Sequence, residues 1–169
     1  MAQLIELTNR AGLDNLQAIY ERMSNPRPLM VEIGEDQMEA TKRRFSTAQA
    51  PDGTPWAPNS PTTLGKYSAM FARKKDGTLS KKAQAKIAGK KPLTGETRAL
   101  ATTINYQITA DNEVAIGSPM VYAAMQHYGG KKADFPHLWG DIPARPIFGV
   151  SEADKANIAD LVRSYMLGE

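Results

Sequence analysis

The chain has 169 residues, no cysteine, a formal charge of +3 from 21 Lys+Arg and 18 Asp+Glu, and 41% hydrophobic residues. That length suits one domain burying about 70% of its unfolded surface, and the lack of cysteine excludes a disulfide scaffold and any cysteine-ligated zinc or iron–sulfur site. No apolar run approaches the roughly 18 residues of a membrane span, and Met1–Leu7 lacks the basic start and apolar run of a signal peptide, so a soluble protein of a reducing compartment is expected.

In chain order, Leu13, Leu16, Ile19, Tyr20 and Met23 recur at helical spacing and predict a helix over 13–23, with Asp14 and Asn15 near its start. Ser24-Asn25-Pro26-Arg27-Pro28 ends it, because proline restricts its predecessor and removes a donor. A second helix is predicted over 28–47. Its stripe is Met30, Ile33, Gly34, Gln37, Met38, Thr41 and Phe45. Acids (Glu32, Glu35, Asp36, Glu39) precede bases (Lys42, Arg43, Arg44), an order that complements the helix dipole. From 49 to 61 the chain reads as a structured loop. Pro51-Asp52-Gly53 supplies a turn, and Trp56, set among four prolines, anchors the loop to the body.

Residues 62–92 are polar and poor in large apolar groups, which predicts a basic extended arm or insertion at 64–92 with a short helix at 80–88. Within it, the span from Arg73 to Lys91 holds Arg73, Lys74, Lys75, Lys81, Lys82, Lys86, Lys90 and Lys91 against Asp76 alone. It carries +7, so the rest of the chain carries −4. The protein is an acidic body with one strongly basic segment.

Regular structure resumes with the clearest hairpin of the sequence, over about 101–117. Ile104, Tyr106 and Ile108 alternate onto one face, Asp111-Asn112 turns the chain, and Val114 to Gly117 pairs back. A short helix over 120–128 closes at Gly129-Gly130. A second aromatic loop, 131–141, contains Phe135, His137 and Trp139. The last helix begins at Ser151 with Asp154 three residues on, a capping-box spacing, and presents Ile158, Leu161, Val162, Tyr165 and Met166. There is no internal repeat and no second core, so residues 1–169 read as a single domain.

Motifs for catalysis are missing. His127 and His137 have no H-x-x-x-H or H-x-E partners for a metal, and both read as structural. Asp134, His137 and Asp141 read as a solvated loop. No G-x-S-x-G elbow, P-loop or G-x-G-x-x-G occurs. These patterns mark no metal, cofactor or nucleophile site, while a Ser–His–Asp triad assembles in space and leaves no such pattern. The basic segment reads two ways: contact with a polyanion or an acidic partner surface, or a solvated loop. It has no aromatic residue between Arg73 and Lys91, which argues against base stacking, so any DNA contact there is independent of sequence.

Several segments in order carry a resemblance: Arg44-Phe45, Pro51-Asp52-Gly53-Thr54-Pro55-Trp56-Ala57-Pro58, Leu93-Thr94-Gly95, Val114-Ala115-Ile116-Gly117, Tyr122-Ala123 to Gln126-His127-Tyr128-Gly129, and Ile142-Pro143-Ala144-Arg145-Pro146-Ile147-Phe148-Gly149. Together they resemble the virion morphogenesis, or tail-completion, family of Mu-like and P2-like tailed phages. The resemblance implies a structural virion protein of the head–tail junction, not an enzyme, related to tail-terminator and neck proteins. It implies an α+β fold, an antiparallel sheet that includes the hairpin, flanked by about three to four helices. It further implies a homo-oligomeric ring of six subunits that caps the tail tube, with the tail tube protein and a head-completion or stopper protein of the neck as partners. The virion tail is then the location, after assembly in the host cytoplasm, and no membrane is involved.

In such a ring Trp56, Phe135, Trp139 and Arg145 are candidate interface residues. Internal packing is the alternative for Trp56. For Arg145 the alternatives are an intersubunit ion pair and a buried pair orienting the final helix. The basic residues Arg73 to Lys91 would embrace an acidic neighbouring subunit or face DNA in the channel; the neighbour is favoured. The rival to the whole reading is a sequence-independent DNA-binding module.

Overall fold

The computed structural model describes residues 10–138 and 140–168. Its elements run α1 (Arg10–Ser24), α2 (Arg27–Thr47), α3 (Pro61–Ala69), α4 (Lys81–Ala88), α5 (Ala99–Thr102), β1 (Asn105–Ala110), β2 (Glu113–Gly117), α6 (Ala123–Tyr128) and α7 (Glu152–Leu167). The fold is α+β: seven helices around a two-stranded antiparallel sheet among the described residues. None of these helices is long and apolar enough to cross a membrane.

The hub is α2, which packs against the hairpin, α5 and α7. Pro28 sits in its first turn, where a missing N–H costs nothing. Its last turn closes on Ala48 in the left-handed region (φ 57°), whose N–H donates to Arg44 O. The buried face comprises Leu29, Ile33, Gly34, Gln37, Ala40, Thr41, Arg44 and Phe45. Arg44 belongs to it despite its charge, because it pairs with Asp154.

β1 and β2 pair in register Tyr106↔Ile116 and Ile108↔Val114, with an irregularity between Ile108 and Ala110. Alternation puts Tyr106, Ile108, Val114 and Ile116 half-buried toward α2 and leaves Asn105, Gln107 and Glu113 exposed. The close approach depends on Gly34. A Cβ there would stand 2.5 Å from Tyr106 Cδ2 and 3.0 Å from Val114 Cγ2, so the tyrosine ring lies directly on the helix backbone.

The apolar core gathers Phe45, Ala50, Trp56, Leu100, Ile104, Ala123 and Ile147. Trp56 meets Phe45 edge to face at 5.2 Å between centroids, and its Nε1–H donates to Pro146 O at 2.8 Å. The loop after α2 is thereby pinned on the segment that precedes α7. Helix α7 starts with a complete capping box between Ser151 and Asp154. Tyr165 Oη at its far end donates to Asn25 O, and Arg22 of α1 donates to Met166 O, so α1 lies along α7.

Residues 61–91 hold α3 and α4, packed on each other. Each is opened by a serine, Ser60 and Ser80, whose hydroxyl accepts the N–H three residues on. Helix α4 was expected from the sequence; α3 was not. Between them an antiparallel bridge joins Arg73 and Leu79 across a turn in which Asp76 accepts both the N–H and the hydroxyl of Thr78.

Candidate assembly surfaces

Two arginines are equally buried, each 7% exposed, and they are satisfied differently. Arg44 Nη2 donates to Asp154 Oδ2 at 2.6 Å and Nη1 to Ile147 O at 2.9 Å. Burial pulls the Arg44 pKa down and Asp154 partly opposes this; the guanidinium stays charged. Burial alone would raise the Asp154 pKa, but hydrogen bonding at Ser151 together with Arg44 holds it below its ordinary value. The sequence offers Arg145 as one candidate for a buried pair that orients the final helix. The structure gives that pair to Arg44.

Arg145 instead donates to three neutral acceptors: Ala57 O from Nε, Pro58 O from Nη2, both at 2.8 Å, and Gln126 Oε1 from Nη1 at 3.2 Å. No carboxylate among the described residues forms an ion pair with it. Burial lowers its pKa. It lines a crevice of about 920 Å³ whose other walls include Pro58, Leu93, Tyr122, Ile142 and Pro143. Beside it, His127 Nδ1 accepts the N–H groups of Ile147 and Phe148 at 3.0 and 3.2 Å, so that nitrogen carries no proton. Burial lowers the His127 pKa in the same sense.

A second, larger groove of about 1160 Å³ opens between the α3–α4 pair and the C-terminal half of α2. Its cations are Lys42, Lys66, Lys86, Lys90, Lys91 and Arg98, against the single acid Glu96. Lys90 Nζ lies 4.7 Å from the Tyr67 ring centroid and donates to Thr94 O, while Lys91 Nζ donates to Ser46 O. Groove and crevice share Thr63, Lys90, Thr94 and Gly95.

Of the basic residues singled out in the sequence, Lys86, Lys90 and Lys91 line this groove. Arg73, Lys74 and Lys75 lie in the turn before α4, and Lys81 and Lys82 in its exposed first turn. Lys42, Lys66 and Arg98 complete the groove from outside the Arg73–Lys91 span. Lys66 was legible as the next base upstream, whereas Lys42 and Arg98 become neighbours only through folding. Among the candidate interface residues, Trp56 is 5% exposed and Arg145 is buried, both packed within the subunit. Phe135 is 39% exposed and stands edge-on to His137. Trp139 lies outside the described residues.

Among the described residues, four exposed large apolar side chains share one face of α1. Leu13, Leu16, Tyr20 and Met23, four of the five residues of the helical stripe, are each 60% exposed or more, because α1 meets α7 with the adjoining face that holds the fifth, Ile19, and Arg22. Val121 and Tyr128, flanking and ending α6, are also exposed. Among the described residues no group of three His, Asp or Glu side chains is arranged to hold a metal ion.

A model of the phage virion morphogenesis family matches residues 8–167. Over 169 aligned residues the chain is 27% identical to tail completion protein S of Escherichia phage P2, an alignment covering 90% of this chain and 93% of that protein. No solved structure matches significantly.

Proposed function

Because the chain belongs to the phage virion morphogenesis family, we propose that it is a tail-completion subunit, a structural component of the virion at the end of the tail that meets the head. The observation that carries this reading is a family match spanning nearly the whole chain, with a relative named for tail completion at matching length. Copies form a ring, six subunits in the form the family resemblance implies. The ring caps the tail tube and docks to the head-completion protein of the neck. The chemistry involved is recognition between surfaces, not catalysis.

The exposed stripe of α1 supports an assembling subunit. Four large apolar side chains on one face of a helix are more than an isolated monomer gains by exposing, and a ring needs two unlike patches that meet heterologously. Phe135 and the loop around it supply a further patch. The test is size: sedimentation of the purified protein, and its detection in purified particles. A fixed oligomer that copurifies with tails is expected. A strictly monomeric protein absent from particles overturns the reading.

A further inference from the structure

The β1–β2 turn and the cationic groove lie at opposite ends of α2. At the N-terminal end, Arg27 stands 3.8 Å from Asp111 of the turn. At the C-terminal end, Lys42, Phe45 and Ser46 form one wall of the groove. Arg27 and Lys42 are separated by about 22 Å along the helix axis at 1.5 Å per residue. The turn projects two carboxylates, Asp111 and Glu113, and all of Ala110, Asp111, Asn112 and Glu113 are exposed. The Arg27–Asp111 contact does little to neutralise it, since the two side chains are 60% and 85% exposed and such pairs are worth about 0–1 kcal/mol. The groove has the opposite character, six cations against one acid, and the adjoining crevice adds Arg145, whose hydrogen-bond partners are all neutral.

We propose that the groove between α2 and the α3–α4 pair receives the acidic β1–β2 turn of a second copy of this chain. Two unlike patches at opposite ends of one rigid helix make a heterologous contact, which repeats from copy to copy. A hairpin tip is narrow, its strands about 4.8 Å apart, and this one carries the carboxylates that complement the groove's six cations. Docking brings Asp111 and Glu113 among groove lysines and brings a carboxylate toward the crevice that Arg145 lines. The proposal rests on the homo-oligomeric reading above and names the surfaces that reading lacks.

The cysteine-free chain makes the test direct. Asn112→Cys in the turn and Gly95→Cys at the rim shared by both cavities, where an added Cβ meets nothing within 4 Å, are placed in the full chain and treated with a short bis-maleimide. A covalent ladder is expected from the double variant and from no single variant alone, and a 1:1 mixture of the two single variants should give a dimer. Separately, Asp111→Lys with Glu113→Lys should weaken self-association about tenfold or more. Lys86→Glu with Arg98→Glu should do the same, and all four changes in one chain should restore it. A wild-type oligomer of normal size that yields no ladder and ignores these reversals overturns this contact and leaves the homo-oligomer standing. A wild-type protein that stays monomeric at every concentration and is absent from particles removes both. Duplex DNA bound through Lys86 and Arg98, with self-association indifferent to Asp111 and Glu113, overturns the contact in favour of a polyanion.

Discussion

Arg44 and Asp154, 110 residues apart in sequence, form a buried ion pair at 2.6 Å, and the same Asp154 Oδ2 accepts the Ser151 N–H at 2.8 Å. One carboxylate therefore starts α7 and fixes it to α2. Asp154→Ala leaves Arg44 buried without its anion and removes half of the capping box. The expected loss is about 3–5 kcal/mol, measured by urea unfolding at pH 7. Replacing both partners, Arg44→Met with Asp154→Leu, should cost much less, because no charge is then left stranded. Wild-type stability in Asp154→Ala would refute the role assigned to the pair.

The same carboxylate gives a sign in acid. Its pKa is depressed in the folded state, so its contribution is fully present above the unfolded value, about 3.9, and is lost as pH falls through the folded one. Asp154→Asn should flatten the stability profile below pH 4 relative to the wild type, as read from urea midpoints between pH 5 and 2.5.

His127 acts near neutrality. Its Nδ1 accepts two backbone N–H groups, and burial depresses its pKa, so protonation favours the unfolded chain. Its contribution is complete above the unfolded value, about 6.5, and declines as pH drops from there toward the folded value. His127→Ala strands both donors at an expected cost of about 1–3 kcal/mol and removes that slope. Unfolding curves between pH 7.5 and 5 test both, and an unchanged slope in the variant would count against the assignment.

Gly34→Ala puts a methyl group into the Tyr106 ring. Overpacking of this kind costs about 1–3 kcal/mol, and Tyr106→Val in the same chain should recover part of it. Thermal unfolding of the two single variants and the double variant reads the coupling; simple additivity would mean that hairpin and helix are not held by this contact.

On α1, Leu16→Glu with Tyr20→Glu alters side chains that are 64% and 66% exposed. Folding stability should move by no more than about 0.5 kcal/mol, while incorporation into particles falls sharply. Full incorporation would show that the stripe meets nothing in the virion.

Periodicity and capping chemistry made α1, α2, α7 and the hairpin legible, because each is specified by neighbours in sequence: Ser151 as a cap, Ile108 and Val114 as alternating strand residues. Helix α3 escaped notice because Thr62-Thr63-Leu64-Gly65 carries little helical preference; its cap at Ser60 and its contact with α4 support it. Arg44 read as one of three bases at a helix end, since its partner is 110 residues away. The outward face of α1 was equally invisible, because an apolar stripe states that a helix has two faces and not which one the fold leaves uncovered.

Arg145 draws together carbonyls 87 and 88 residues earlier in the chain and an amide 19 residues earlier. In a chain without cysteine, it acts as a cross-link made of charge and dipoles. Such a link needs no oxidant and ignores thiols. The loop around Trp56 is thereby tied to the segment before α7 under reducing and oxidising conditions alike, beside the hydrogen bond from Trp56 to Pro146 O.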